Sequence, residues 1–434
     1  MLAIQPLNAI HLLTRNSMFN HSGTHSCRSF AKQTSFAILT LVAFVGSGLM
    51  GQLKADDIEV LSTAGTNNVA IAGQYAFAAA GVQGIVIVDL SGPKIAGVVA
   101  PPVNTGTVDD VSIDGDLLFT LDASGTGGLS VFSIANPMQP TLVSGPVIVD
   151  VSPFAGVSAA NGRVVVSGGT GLLSRRNYQL DGTLVGAVST IDLGVGQPDV
   201  LVGEDGEAAF VSTDFAGAVD GQPFGITVLN IGGPTLSIID QFGIDGAGFT
   251  PGFEFPANFP IESAQSGDKL YVAFGNGVAI FDVSNPSAVQ VLATIPIPGA
   301  NPVNIDVAGD MLYVVSNSPD PVLISIDVSG LSPPISPLTP IPIQTTSLPS
   351  GSRPLGVAAT NTSVVIADED LGILVESLLL LADVNQDGTV DFLDIPSFIG
   401  VVTAGGTQAE ADIDQNGFVD FLDIPLFIDI LTGS

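Results

Sequence analysis

The chain has 434 residues, of which 42 are acidic and ten basic, giving a formal net charge of −32 with a mean hydropathy of +0.52. Its apolar residues fall into short Val, Ile, Ala and Leu runs broken by Gly, Pro, Asn and Asp, too short to cross a bilayer as helices. So acidic a chain excludes nucleic acid and anionic membranes as partners, because both require Lys and Arg to neutralise phosphate.

Residues 1–55 differ from the rest. No charge lies between Lys32 and Lys54, Phe36–Val45 is almost wholly apolar, and Arg28 and Lys32 precede it. A basic start, a short apolar run and the small Ala55 before Asp56-Asp57 describe a signal peptide, with Met18 as a second possible start. An uncleaved anchor is the competing reading; Gly46, Ser47, Gly48 and Gln52 weaken the apolar run and favour cleavage. Cys27 precedes that run, which argues against a lipoprotein. Cleavage implies a secreted or cell-surface protein with no membrane association. The mature chain would then carry six basic against 42 acidic residues, a charge of −36, and no His, Cys or Trp. That composition excludes Ser-His-Asp and Cys-His nucleophiles, thiolate or imidazole zinc sites, and disulfides.

From about 58 to 380 the chain repeats itself. The recurring unit is a glycine, an alternating apolar strand, an Asp and a turn. It occurs at Gly84-Ile-Val-Ile-Val-Asp-Leu-Ser-Gly-Pro93, Gly128–Pro137, Gly225–Ile231, Gly277–Pro286, Val322–Ser329 and Gly372–Leu378, with a degraded copy near Gly171. Upstream of each unit two short apolar runs flank a tight turn, marked by Gly73, Gly115, Gly162, Gly206, Gly267, Gly309 and Asn361. Residues of this kind supply the positive φ of a short hairpin. Seven units of three strands and a less regular fourth predict an all-β chain, a seven-bladed β-propeller over 56–380. Asp57–Thr63 would supply the outer strand that the last unit lacks, closing the ring. These repeats resemble LVIVD-type propeller repeats, and Gly84–Pro93 and Gly277–Pro286 carry the resemblance best. It implies a fold and hardly a function.

Propellers bind at the mouth of the central channel, where innermost strands begin. Counting five residues back from each hairpin turn gives Asn68, Asp110, Glu262 and Asn304, with apolar residues or Gly in the other blades; Asp109, Asp199 and Asp306 lie nearby. Asp110 and Glu262 are the candidate catalytic residues of a glycoside hydrolase or lactonase, which works with carboxylates and without His. The plainer reading makes these residues solvated channel groups on a non-enzymatic platform for a glycan or protein ligand, and that reading is preferred. Two irregular stretches interrupt the repeats. Gly243–Phe259 carries Phe249, Phe253, Phe255 and Phe259, and Leu331–Pro354 is a Pro-rich stretch expected to form an extended surface loop.

Residues 381–434 form a separate unit. Residues 383–394 read Asp-Val-Asn-Gln-Asp-Gly-Thr-Val-Asp-Phe-Leu-Asp, and 412–423 read Asp-Ile-Asp-Gln-Asn-Gly-Phe-Val-Asp-Phe-Leu-Asp. Ca²⁺ takes six to eight oxygens, which a twelve-residue loop presents from positions 1, 3, 5, 7, 9 and 12. The first set is Asp383, Asn385, Asp387, the Thr389 carbonyl, Asp391 and Asp394. The second is Asp412, Asp414, Asn416, the Phe418 carbonyl, Asp420 and Asp423. Gly388 and Gly417 stand where the loop turns sharply, and two Ca²⁺ ions are expected. Position 12 is Asp where the EF-hand usually has Glu. Helices are predicted only downstream, over Phe392–Val402 and Phe421–Leu431, with Pro396 and Pro425 in their first turns.

A duplicated loop with one helix resembles the dockerin type I module. The resemblance implies folding on calcium and attachment to a cohesin-like or cell-surface protein through residues 383–434. It places recognition at loop positions 10 and 11, here Phe392/Leu393 and Phe421/Leu422, although many cohesin-binding dockerins are polar there. Helix core is the alternative role for these four.

Overall fold

The computed structural model describes residues 58–432 except 64, 103–105, 123–127, 148–153, 169–170, 195–198, 220–221, 244–261, 275–276, 298, 318–319, 330–342, 379–383, 386–391, 405–407 and 414–418. The expected signal peptide and the Phe-rich insertion therefore lie outside the described residues, Gly243 excepted.

Seven four-stranded antiparallel sheets make up the repeat region. After β1 (Glu59–Leu61), blade 1 is β2 (Asn68–Ala72), β3 (Tyr75–Ala79), β4 (Ile85–Asp89) and β5 (Lys94–Val99). Blade 2 is β6 (Asp110–Asp114), β7 (Leu117–Leu121), β8 (Leu129–Ser133) and β9 (Thr141–Val147). Blade 3 is β10 (Phe154–Ala160), β11 (Arg163–Gly168), β12 (Leu172–Tyr178) and β13 (Leu184–Asp192). Blade 4 is β14 (Asp199–Val202), β15 (Ala208–Val219), β16 (Gln222–Asn230) and β17 (Ser237–Gly243). Blade 5 is β18 (Ser263–Ser266), β19 (Lys269–Phe274), β20 (Gly277–Asp282) and β21 (Gln290–Pro296). Blade 6 is β22 (Pro302–Ala308), β23 (Met311–Ser316), β24 (Val322–Asp327) and β25 (Ile343–Ser347). Blade 7 is β26 (Pro354–Ala359), β27 (Ser363–Asp368) and β28 (Gly372–Ser377), completed by β1. The seven-bladed expectation holds. One part of the Pro-rich stretch departs from the extended loop expected there: Ile343–Ser347 pairs with β24 as an outer strand, because Gln344, Thr345 and Thr346 carry the backbone N–H donors that prolines lack.

The middle strands are buried on both faces, so they read as continuous apolar runs such as Ile85–Val88 and Val364–Ala367. Each seam between neighbouring blades holds its own apolar cluster. Phe77, Ile87, Leu118 and Phe132 fill the seam between blades 1 and 2, and Phe210, Val228, Leu270 and Phe281 fill that between blades 4 and 5.

The repeat's two marker residues each have a mechanical role. The Asp that ends the third strand caps the following turn: Asp89 accepts Ser91 N (3.1 Å) and Ser91 Oγ (2.6 Å), and Asp282 accepts Ser284 N (2.9 Å) and Ser284 Oγ (2.6 Å). The glycine that opens the strand lies against the outer strand. A Cβ on Gly84 would stand 2.1 Å from Val99 O, and Gly84 has φ +93°.

Closure joins the two ends of the repeat region. Glu59 pairs with Val375 and Leu61 with Ile373. Thr66 Oγ1 donates to Asp368 O (3.0 Å) or Gly372 O (2.5 Å) and accepts Asp368 N (2.9 Å), all in buried surroundings. Gly372, at φ +100°, leaves no room for a side chain: a Cβ would lie 2.4 Å from Thr63 N and 2.7 Å from Leu61 O. Gly372→Ala is expected to destabilise the propeller by about 2–4 kcal/mol through strain and loss of this pairing. Urea unfolding checks it; a midpoint unchanged from wild type would contradict the closure described.

Candidate functional site

Innermost strands of a propeller fan out from the channel and do not pair with one another, which leaves N–H groups along their inner edges in need of acceptors. Side chains from the preceding blade supply them. Asp110 accepts Val111 N (2.8 Å) in its own strand and Val157 N (2.6 Å) in blade 3. Asn68 Nδ2 donates to the same Asp110 carboxylate from blade 1. Asn304 accepts Val357 N (3.3 Å) in blade 7. Asp199 holds the corresponding place at the start of β14 and lines the same channel mouth with Glu262 and Ser263. Two residues further along each strand lies a second tier: Ser112 accepts Ala159 N (3.1 Å), Ser158 accepts Val202 N (2.8 Å), and Asp306 accepts Ala359 N (2.8 Å).

The first tier rings a cavity of about 460 Å³ at the channel mouth, lined by Asn68, Asp110, Asp199, Glu262, Asn304 and Asp306 among others. No Lys, Arg or His lines it. Burial therefore acts on these carboxyls without a compensating charge and raises them all. Asp110 is pushed up to about 6, against hydrogen bonds from Asn68, Val157 and Val111 that pull it down. Burial likewise pushes Asp306 up to about 6. Glu262 is held well above the usual carboxylate range by burial and then by the neighbouring Asp199 and Asp110.

Asn68, Asp110, Glu262 and Asn304 thus meet where turn counting placed them. Asp199 belongs to the same ring, and the count missed it for a local reason. Most of these turns follow the strand directly with their glycine, as Gly73 follows Ala72, whereas Gly203–Glu207 separates β14 from β15. The count from Gly206 therefore overshoots by two and lands on Leu201. Blade 3 shifts by one, because Asn161 (φ +48°) precedes Gly162 (φ +82°) in its turn, so Gly156 occupies the ring position. Gly356 occupies it in blade 7. A hydrogen-bond register fixed on strand starts, rather than on glycines, would have found Asp199.

Of the twelve expected calcium ligands, Asp383, Asp387, Thr389, Asp391, Asp414, Asn416 and Phe418 lie outside the described residues. Asn385, Asp394, Asp412, Asp420 and Asp423 are described. Among the described residues no group of three or more Asp, Glu, His or Cys side chains converges as a metal site. The two position-12 carboxylates are fully buried. Asp394 accepts Asn385 N (2.9 Å) and Asp423 accepts Asp420 N (2.8 Å), so each turns back on its own loop. These donors fit a hard divalent cation.

Helices α1 (Asp394–Ala404) and α2 (Asp423–Thr432) begin two residues later than predicted, and a turn precedes each. Stacked Phe398 and Phe427, with ring centroids 3.9 Å apart, centre a small core with Val384, Ile413 and Val419. Phe392, Leu393, Phe421 and Leu422 stand outside it, exposed by 69, 66, 76 and 65%. Their helix-core alternative is thereby excluded.

Residues 65–94 and 264–293 match the LVIVD repeat family. A search of curated proteins found no match. Among solved structures, the chain is similar to one in "Crystal Structure of Mitotic Checkpoint Complex" (9% identity, TM-score 0.54, 77% of this chain and 97% of that one). It is also similar to the Myceliophteria thermophila Cps50 (Swd1) β-propeller domain (10% identity, TM-score 0.53, 74% and 98%). At such identities the likeness concerns fold alone.

Asp110→Ala strips acceptors from two enclosed N–H groups and is expected to cost about 2–4 kcal/mol, whereas Asp110→Asn keeps one acceptor oxygen and loses less than half of that. Denaturant unfolding of both variants checks the ordering; equal losses would show that the carboxylate does not clamp the seam. The chain carries LVIVD repeats on a seven-bladed β-propeller.

Proposed function

We propose that this is a secreted calcium-binding protein whose propeller serves as a rigid interaction platform and whose residues 381–434 form a dockerin-like tail that attaches it to a cohesin-like or cell-surface partner. One observation carries the reading. Asp394 and Asp423 are fully buried at the same place in two loops, within a segment that holds ten acidic residues and no Lys or Arg. Hydrogen bonds satisfy carboxylate oxygens but do not neutralise their charge, and a buried charge calls for a counter-charge. Two Ca²⁺ ions would supply it, with Asn385, Asp394, Asp412, Asp420 and Asp423 contributing oxygens beside the loop residues outside the described set. Folding of the tail would then be coupled to the ions. The paired exposed residues Phe392/Leu393 and Phe421/Leu422 offer the partner an apolar contact.

A second reading, a glycan- or lactone-cleaving propeller hydrolase, draws on Asp110, Asp199 and Glu262 around one cavity with carboxyls raised toward neutrality. Asp110 already accepts three hydrogen bonds as a clamp between blades, which favours the platform. Turnover of a glycan or lactone by wild type, lost in Asp110→Ala/Glu262→Ala with the fold intact, would favour the hydrolase.

Calorimetric titration of the full chain with Ca²⁺ is expected to show two ions bound per molecule, with binding abolished in Asp394→Ala/Asp423→Ala. In chelator, limited proteolysis is expected to remove the tail and spare the propeller. Absence of binding heat together with a tail equally resistant in chelator and in calcium would overturn the reading.

A further inference from the structure

The channel mouth keeps hydrogen-bonding capacity that the seams do not use. Asn304 spends its Oδ1 on Val357 N (3.3 Å), but its Nδ2 donates to no group among the described residues. The residue is only 7% exposed, and it lines the cavity. The Ser263 hydroxyl is buried beside the same cavity and has no hydrogen-bond partner among the described residues. Enclosed polar groups are seldom left in that condition. A ligand with oxygen acceptors would satisfy both.

Charge is unbalanced at the same place. Carboxyls reach the cavity from four blades: Asp110 on blade 2, Asp199 on blade 4, Glu262 at the head of blade 5 and Asp306 on blade 6. The six basic residues beyond Ala55 are all absent from its lining. Burial raises Asp110 and Asp306 to about 6, and no cation opposes it. Among the described residues, however, no three of these carboxyls converge on a point as they would around a metal ion. They stand apart around a cavity of about 460 Å³, a size that suits a small organic ligand. An anion would meet repulsion there, and an apolar ligand would strip water from the carboxyls without replacing it. A molecule with ammonium groups spaced along it can meet acids on separate blades through charge-assisted hydrogen bonds. Hydroxyls on the same molecule can accept from Asn304 Nδ2 and pair with Ser263.

We propose that the channel-mouth cavity is a binding site for a cationic amino sugar, whose ammonium groups meet the carboxyls of different blades and whose hydroxyls meet Asn304 and Ser263. The inference gives the propeller platform its ligand; it rests on that part of the proposed function and on nothing in the tail.

Calorimetry on the full chain at fixed Ca²⁺, near neutral pH and in physiological salt, tests it with three disaccharides of one shape. The β-1,4-linked dimer of glucosamine is expected to bind one per molecule. Its N-acetylated form and cellobiose, which lack the charge, are expected to bind at least about tenfold more weakly. Glu262→Gln/Asp306→Asn removes two charges from the cavity and leaves an acceptor oxygen for Ala359 N; it is expected to weaken the glucosamine dimer at least about tenfold. Asp116→Asn/Asp268→Asn makes the same change of charge in exposed turns at the far ends of β6 and β18, and is expected to weaken it less than about twofold. Should the cavity variant not fold, hydrogen exchange on wild type answers the same question. The glucosamine dimer is expected to slow exchange in the inner strands β6, β18 and β22 and to leave the outer strands β5, β9 and β13 unchanged. Equal affinity for the three disaccharides overturns the inference and leaves the platform standing. Equal weakening in both double variants, protection spread over the outer strands, or no binding of the glucosamine dimer overturns it as well, whatever Ca²⁺ does at the tail.

Discussion

The pairing of β1 with β28 is the constraint on which the rest of the propeller depends. It joins a strand from the start of the repeat region to the sheet made by its end, and it leaves all seven seams packed between two blades. An open ring would expose the outer edge of β28 and the apolar faces that Leu61, Val69, Val86 and Val375 now bury together. Thr66 and Asp368 lock the junction with hydrogen bonds that skip some 300 residues of chain. Closure also sets the angle at which seven inner strands approach the channel, and so the distance across which Asp110 can reach Val157 or Asp306 can reach Ala359.

That geometry explains why the channel mouth is acidic without containing a base. Its polar residues are first of all acceptors for backbone N–H groups that a propeller cannot pair, and carboxylates are the strongest acceptors available. The consequence is a cavity in which burial raises Asp110, Asp199, Glu262 and Asp306. Asp110, Asn304 and Asp306 are bound into seams.

Much of this was legible in sequence because each marker has one job. The repeat glycines occur where a Cβ would strike the neighbouring strand, as at Gly84 and Gly372, and the repeat aspartates occur where a turn needs its N–H groups capped, as at Asp89 and Asp282. Such local demands repeat with the blade. Asp199 was placed only near the ring and not in it, because turn length varies between blades and a count anchored on glycine inherits that variation. The exposure of Phe392 and Phe421 was equally beyond sequence pattern, since Phe398 and Phe427 have the same character two turns on and only packing decides which pair goes inside. The outer strand Ile343–Ser347 was hidden by the prolines before it.

Hydrogen exchange measured on a chain lacking residues 56–63 would test the closure account most directly. If β1 holds the ring, its removal should lower amide protection in all seven blades together, because no seam remains packed once the ring can open. Loss confined to β28 and its immediate neighbours, with blades 2 to 5 protected as before, would contradict it.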